Sequence, residues 1–459
     1  MSYRKSLLLL LLLSLASCAK KTDPLPDEVV AVVNGVPITK REMVRRTELT
    51  PILGFHRHKE RSKRALDMLI DELTLSQWAA SKGFEEAPDY KEAVAFIEQQ
   101  ALIRELFFVE IRSNAEPDSL KIDLTLRKSM LRLTVPTLVT EEKDVADKWS
   151  ELIKSGETFE DLAKEYKGDP GIKIKSWSFH WGDGIVPIQV ENAAYKLGVG
   201  ETSSVIKLPN SFVILHVANI AQDVFLTPYD VSKKKSQIKE VLRARKETIL
   251  ANEYVSELME PITVQQMGDG LESVVKFIQR RMELNENDEL PLAQIMNEEL
   301  ALSDDIDLSP HVVKAPGFAW NGNDVMALLR NYNYPINKSS RASLHNTMTD
   351  FLKSAVTDHY LAERAEYKGL QTAERVKEDV QMWSRYFLSL KGLKAMADND
   401  STMNDSKAIA RQVKALRESA EIKINHDFLK SIELTGIPMV AVWKNRFNQH
   451  LAVPPLIQY

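Results

Sequence analysis

Few residues in this chain are of types and spacings that could carry chemistry. Cys18 is the only cysteine, so no intrachain disulfide can form. His56 and His58 could touch a metal ion, but the sequence places no further ligand residues near them. Phosphate-cradling glycine loops and serine-hydrolase nucleophile motifs are absent from the sequence. The sequence therefore predicts no metal site and no cofactor.

Composition is typical of a folded, exported protein. The formal net charge is −5 and 27% of the residues are charged, which gives no reason to expect a nucleic-acid partner. The chain is long enough for two or three domains. The lysine- and arginine-rich stretch from Lys233 to Lys246 is interpreted as the solvated face of a helix rather than as a binding patch.

The first eighteen residues are typical of a targeting segment. Arg4 and Lys5 precede an unbroken leucine run, residues 7–13, that is too short to cross a membrane. The run ends in Leu-Ala-Ser-Cys18, which resembles a bacterial lipobox. That resemblance implies cleavage before Cys18 and a lipid on its thiol; the alternative is an ordinary secretory signal with a chance cysteine. Ala19, in place of aspartate, implies sorting to an outer membrane.

Strand and helix patterns alternate through the central stretch, residues 131–220. A strand pattern at 132–139 is followed by an amphipathic helix, and Thr158 can cap a second helix. The remaining pieces, in order, are a Gly-Asp-Pro-Gly turn at 168–171, an aromatic run at 177–182, a short helical run at 191–197 and closing strands at 202–206 and 212–220.

Five motifs in this stretch resemble a parvulin, a prolyl isomerase domain. They are Thr158–Tyr166, Asp169-Pro170-Gly171, Val186-Pro187, Ala193–Leu197 and Gly200-Glu201. The resemblance implies an α/β fold that accelerates rotation about X–Pro bonds without a covalent intermediate. It also implies a polar cluster of two histidines around an Asp or Cys, beside an apolar proline pocket.

Only part of that polar cluster is carried over to this chain. Asp169 falls on the Asp/Cys position. The first histidine position falls on Val135 or Pro136, and the last-strand histidine position falls on Val213. His216 lies three residues further on and should face the other side of its strand. We therefore predict a degenerate catalytic cluster at Asp169 and Val213.

The predicted proline pocket is also altered. The family's Met and Phe positions fall on Ile185 and Val190, so we expect a shallow peptide-binding groove lined by Ile185, Val190 and Phe212. His180 could approach this site, although a surface or packing role is favoured. Trp177 and Trp181 are interpreted as core aromatics.

The residues before the central stretch resemble the opening of SurA- and PrsA-type chaperones. A strand, an Asn34-Gly35 turn and a second strand lead into a helix capped by Thr39. A long amphipathic helix follows, with Gly83 suited to a left-handed cap, and then a helix over Tyr90–Ile111. The helix Pro228–Glu260, with buried residues that include Ile249, and a strand at 261–264 are expected to complete this module.

A weak internal repeat follows in the C-terminal part. The sequence of residues 311–320 is similar to that of the opening hairpin, and Asn321 corresponds to the helix cap Thr39. Further along, matching residues are 286 positions apart, as Gly83 and Gly369 are. The alternative is that two amphipathic helix pairs match by composition. We expect this second module to close with its own helix and strand at 407–424 and to fold alone.

These observations predict an α+β multidomain protein with duplicated, mostly helical SurA-N-like modules and one parvulin-like α/β domain. The predicted boundaries are a signal peptide at 1–17, a tether at 18–27, a first chaperone module at 28–127 and 223–264, the parvulin-like domain at 128–222, a linker or subdomain at 265–304 and a second module at 305–459.

The resemblance implies a lipid-anchored periplasmic chaperone at the outer membrane. It would bind unfolded client polypeptides, outer-membrane proteins among them, and release them without ATP. The alternatives are an active peptidyl-prolyl cis-trans isomerase and a structural lipoprotein subunit of an envelope assembly or secretion machine.

Overall fold

The computed structural model describes residues 28–49, 58–223, 227–283, 306–332, 334, 340–398, 406–434, 442–444, 449–457 and 459. Cys18, His56 and the side chain of His58 lie outside the described part. The chain divides into two compact units. The helical unit comprises Met1–Leu106 with Leu258–Tyr459, and the sheet unit comprises Phe107–Glu257.

Helices and strands follow one another along the whole described chain. The helices are α1 (Lys40–Glu48), α2 (His58–Ser81), α3 (Pro88–Glu110), α4 (Ser119–Ser129), α5 (Lys143–Lys154), α6 (Phe159–Glu165), α7 (Ile188–Ala194), α8 (Pro228–Met259), α9 (Gly268–Glu283), α10 (Gly322–Asn331), α11 (Arg341–Tyr367), α12 (Glu374–Asp398), α13 (Ser406–Ser419) and α14 (His426–Ser431). The strands are β1 (Val29–Val33), β2 (Val36–Thr39), β3 (Leu131–Thr140), β4 (Ile172–His180), β5 (Ile206–Leu208), β6 (Ser211–Leu215), β7 (Asn219–Gln222), β8 (Gln265–Gln266), β9 (His311–Ala315), β10 (Phe318–Asn321), β11 (Ile422–Ile424), β12 (Val442–Lys444) and β13 (Gln449–Leu451). No described helix combines the length and the apolar character that a membrane crossing requires.

The sheet unit is built around β3. Its sheet has the order β4-β3-β6-β5, and β7 pairs with the other end of β3; all pairs are antiparallel. Alternate residues of β3 point to opposite faces, so Val135 joins one apolar cluster and Leu138 the other. Helix α7 covers the first face, and α5 and α6 cover the second. The predicted α/β domain is confirmed.

Helix α8 follows the predicted bounds closely but buries less than predicted. Ile238 and Leu242 pack against Trp181, which is therefore a core aromatic as expected. Ile249, expected in the buried stripe, is 57% exposed. Ile249 therefore lies on a part of the apolar stripe of α8 that remains exposed.

The first hairpin of the helical unit forms as predicted, but a different strand completes its sheet. Asn34 and Gly35 both have positive φ, which suits the tight turn between β1 and β2. Thr39 caps α1 by accepting a hydrogen bond from the backbone N–H of Glu42. The third strand is β11, from the far end of the chain, and the order is β11-β1-β2.

The second hairpin shows the reverse arrangement. Asn321 caps α10 in a reciprocal capping box with Asp324, and β9 pairs with β10 and with β8. The strand expected at 261–264 is thus at Gln265–Gln266, and it belongs to the second hairpin. Each hairpin is completed by a strand from the other half, so neither half closes its own sheet as the sequence suggested.

Long helices are exchanged in the same way. Helix α12 of the second half packs against α2, where Gly392 lies close to Ala79. Helix α3 of the first half places Phe96 and Ile97 in a core shared with Phe351 of α11. The predicted duplication agrees with one pair of matching turns, since Gly83 and Gly369 both adopt left-handed conformations before a short 3-10 helix. The two halves therefore interlock.

Residues 265–283, which the sequence predicts to be part of a linker or subdomain, form β8 and α9. Helix α9 places Leu271, Val274 and Ile278 in the core with β9 and α10. The apolar residues of α9 recur at helical spacing. The acidic residues that follow this helix led to the prediction of a linker for the whole segment. Residues 284–305 lie outside the described residues.

Candidate functional site

The residues predicted at the two histidine positions of the parvulin pattern are apolar core residues. Val135 is fully buried and Val213 is 3% exposed, and both belong to the cluster between the sheet and α7. Pro136 is the next residue along β3, so it points to the opposite face. The structure therefore places Val135, not Pro136, on the face of Val213. Neither valine can donate or accept a hydrogen bond from its side chain.

Asp169, the remaining member of the polar cluster, serves the local turn. Its Oδ1 accepts a hydrogen bond from the backbone N–H of Gly171 at 2.8 Å. Its backbone C=O accepts from the N–H of Ile172 at 3.2 Å. This is the ordinary role of an aspartate that begins a turn. The carboxylate is exposed and has no polar side chain from the two valine positions to act with.

The three residues of the predicted peptide-binding groove do not share one face. Val190 is 3% exposed and packs in the cluster of Val135 and Val213. Phe212 packs with Trp149 in the cluster on the other face of the sheet. Adjacent residues in a strand point to opposite sides, so Phe212 and Val213 cannot line one groove. Ile185 is 48% exposed, and with Ile188 at 43% it gives the α7 end of the domain an apolar surface.

His216 faces away from Val213, as the odd offset predicts. Its ring stacks on Phe159 with centroids 5.5 Å apart. Its Nδ1 lies 3.1 Å from the hydroxyl of Thr202, and its Nε2 lies 3.5 Å from Glu160. It therefore belongs to the second face and cannot replace either missing histidine.

His180 has a structural role at the end of β4. Its Nε2 lies 2.6 Å from Oδ2 of Asp223, and its backbone N–H donates to Asp183 at 2.8 Å. The imidazole thus ties β4 to the segment that follows β7. This agrees with the packing role that the sequence favoured.

A buried ion pair lies near the end of β4, and the sequence analysis did not predict it. Glu191 is 2% exposed, and its carboxylate accepts hydrogen bonds from the N–H of Gly182 at 2.8 Å and from Arg245 at 2.7 Å. The Arg245 guanidinium also lies over the Trp181 ring, 4.4 Å from its centre. Arg245 is therefore not on a solvated face. Within the same stretch, Lys239 pairs with Glu116 at 3.0 Å.

A groove of about 730 Å³ opens in the helical unit, between α3, α10 and α11. Each helix lines it with residues at positions i, i+3, i+4 and i+7, within 92–99, 324–331 and 359–366. The i+3 position is an alanine in all three helices, Ala95, Ala327 and Ala362. Each of the three walls thus includes one small side chain, which leaves space in the groove. Sequence reasoning missed it because the three helices are far apart in the chain.

Comparisons with known proteins agree with the parvulin-like architecture. Residues 126–228 match the PPIC-type PPIASE domain family. The foldase protein PrsA 4 of Bacillus cereus is 33% identical over 104 residues, 22% of this chain and 36% of that protein. The foldase protein PrsA of Geobacillus kaustophilus is 35% identical over 135 residues, 29% of this chain and 42% of that protein.

A further PrsA relative is matched over more of its length. The foldase protein PrsA of Caldanaerobacter subterraneus is 25% identical over 293 residues, 56% of this chain and 93% of that protein. The chain spans less than half the length of the two Bacillus and Geobacillus relatives. The predicted resemblance to PrsA-type chaperones with a parvulin domain is confirmed.

Proposed function

We propose, from a PPIC-type domain in a chain related to the PrsA foldases, that this protein is a folding chaperone of the cell envelope. It binds unfolded client polypeptides, among them outer-membrane proteins, and releases them without ATP. Cys18 carries a lipid that holds it at the periplasmic face of the outer membrane. The observation that carries the proposal is the pairing of a retained parvulin fold with valines at both histidine positions, Val135 and Val213.

Catalysis requires the polar cluster, whereas binding of an unfolded chain does not. The barrier to rotation about a peptide bond is about 18–20 kcal/mol, and an isomerase must stabilise the twisted amide. Buried valines contribute only apolar surface there. Binding an unfolded chain requires apolar surface and space instead, which Ile185 and Ile188 offer in the sheet unit and the groove offers in the helical unit. The geometry therefore supports a holding function better than a catalytic one.

The direct test is protection of an unfolded outer-membrane protein from aggregation. Urea-denatured client is diluted into buffer with the purified mature chain, without nucleotide, and light scattering is followed. We expect scattering to fall with increasing chaperone and to be indifferent to added ATP. Scattering equal to that with an inert protein of the same size would refute the proposal.

An active prolyl isomerase remains the second candidate, because residues 126–228 match the PPIC-type family. It requires Asp169 to act without the histidines. A prolyl-peptide isomerisation assay on the same preparation distinguishes the two candidate functions.

A further inference from the structure

The lining of the groove in the helical unit carries charge of one sign. Glu92, Glu98, Asp324, Glu363 and Glu366 all line it. No lysine or arginine is among the lining residues that the structure describes. A concave surface lined by one sign of charge raises the local concentration of the opposite charge.

Most of this negative charge is not compensated locally. Glu92 is paired with Arg330 at 3.0 Å, and Asp324 is engaged in the cap of α10. In the described part of the chain, Glu98, Glu363 and Glu366 are exposed and make no ion pair. His359 does not offset them, because burial lowers the pKa of its imidazole and leaves it neutral at neutral pH.

The groove combines these carboxylates with apolar and aromatic walls. Phe96 and Leu328 contribute apolar surface, and Trp320 stands at the hairpin side with Phe318 packed against it at 4.4 Å between ring centres. The alanines leave room for an incoming side chain. Apolar and aromatic walls with a few polar groups are typical of binding sites.

We propose that this groove selects client segments in which an apolar side chain is flanked by lysine or arginine. The apolar side chain enters between the alanines, and the flanking cations lie beside Glu98, Glu363 and Glu366. A second copy of this chain is a poorer occupant, because its formal net charge is −5. The proposal rests on the chaperone function above and adds which sequences the helical unit prefers.

The test uses the full mature chain and three fluorescent peptides. They share one apolar core and differ only in the flanking residues, which are lysine, serine or glutamate. We expect the lysine peptide to bind about tenfold tighter than the glutamate peptide at about 50 mM salt, and the gap to shrink near 500 mM because of screening. Equal binding of the three peptides would overturn the proposal.

Two variants locate the effect. Glu363→Gln with Glu366→Gln keeps the shape and removes charge, and we expect it to weaken the lysine peptide roughly fivefold while leaving the serine peptide unchanged. Ala327→Trp fills the groove and should weaken all three peptides. Glu253→Gln with Glu257→Gln, exposed on α8, is the charge-matched control and should change nothing. An unchanged lysine preference in the groove double variant contradicts the proposal, and because those side chains are exposed this variant should fold normally.

Failure of this inference and failure of the chaperone function look different. A chain that suppresses aggregation but binds the three peptides equally keeps the function and loses the selectivity. A chain that prefers the lysine peptide but does not suppress aggregation keeps the selectivity and loses the function. A concentration-dependent dimer that excludes the peptide and dissociates in Glu363→Gln with Glu366→Gln would assign the groove to a second copy and overturn the proposal.

Discussion

At the residue scale, residues 126–228 match the PPIC-type family, and we predict that the side chains of that family's reaction are replaced. Val135 and Val213 are buried where the family pattern places histidines. Their apolar contacts stabilise the sheet unit, since burying a large apolar side chain contributes about 1.5–3 kcal/mol. The fold therefore persists without depending on catalysis.

We predict that prolyl isomerase activity of the mature chain is absent or lower than that of an active parvulin by roughly two orders of magnitude or more, because a few kcal/mol of transition-state stabilisation is lost. A prolyl-peptide isomerisation assay measures this. Catalysis that disappears in Asp169→Ala would overturn the prediction and support the enzyme. Catalysis that is unchanged in that variant indicates a contaminating isomerase.

A second residue-scale prediction concerns a buried carboxyl in the helical unit. Asp358 accepts hydrogen bonds from the hydroxyl of Tyr332 at 2.8 Å and from Gln100 at 3.3 Å. Burial outweighs these bonds and raises the pKa of Asp358 to about 6. The neutral carboxyl thus favours folding below about pH 4, and this contribution is lost as the pH rises through about 6.

Asp358→Asn keeps the acceptor oxygen and removes the titration. We expect its free energy of unfolding to exceed that of the wild type by an amount that grows between about pH 4 and 6 and reaches at most about 3 kcal/mol. Denaturant unfolding at several pH values measures it. Asp350→Asn, exposed on the same helix, serves as the control. A constant difference across this pH range would contradict the assigned pKa.

At the element scale, the helical unit is held together by exchange between its two halves. Strand β11 completes the first hairpin and β8 completes the second. Each sheet then has a central strand whose backbone groups are paired on both sides. Neither hairpin can obtain this from its own half, so the halves should depend on each other for stability.

The fragment experiment follows from this exchange. Residues 306–459 alone lack β8, α9 and α3, so their core is open, and we expect no cooperative thermal unfolding by circular dichroism. Residues 28–283 and 306–459 expressed together should copurify. A cooperative transition in the isolated C-terminal fragment would show that the second repeat closes by itself, as the sequence alone suggested.

Two glycines at the start of α9 give a matched test of the contact with β9. A Cβ at Gly270 would overlap the backbone C=O of His311, whereas a Cβ at Gly268 would meet no atom. We expect Gly270→Ala to lower the free energy of unfolding by about 2–4 kcal/mol and Gly268→Ala to change it by less than about 0.5 kcal/mol. Urea denaturation compares them. Equal effects would mean that α9 does not approach β9 so closely.

At the scale of the whole molecule, the prediction concerns the lipobox-like residues that end at Cys18. Cys18→Ala should move the protein from the membrane fraction to the soluble periplasm, because a lipid chain is the only predicted membrane contact. Fractionation and immunoblotting measure the shift. A variant that stays with membranes after a high-salt wash would disprove the anchor. Signal cleavage should be checked in parallel by mass.

The local elements follow from the amino-acid sequence, because their causes are local. The Asn34-Gly35 turn, the Thr39 and Asn321 caps and the left-handed Gly83 are set by the conformational preferences of single residues. Ordered motifs were also enough to predict the parvulin-like domain. The prediction that valines replace the histidines also rests on the sequence alone, because it depends only on residue types at matched motif positions.

The way in which these elements combine, by contrast, depends on packing in the folded chain. The pairing of β1 with β11 and the groove between α3, α10 and α11 depend on contacts between residues that lie hundreds of positions apart in the chain. Short strands such as β8 (Gln265–Gln266) and β11 (Ile422–Ile424) carry no residue pattern that identifies their partner strand. Several pairings satisfy the same apolar and hydrogen-bonding requirements locally, and only the packing of the complete core selects one of them.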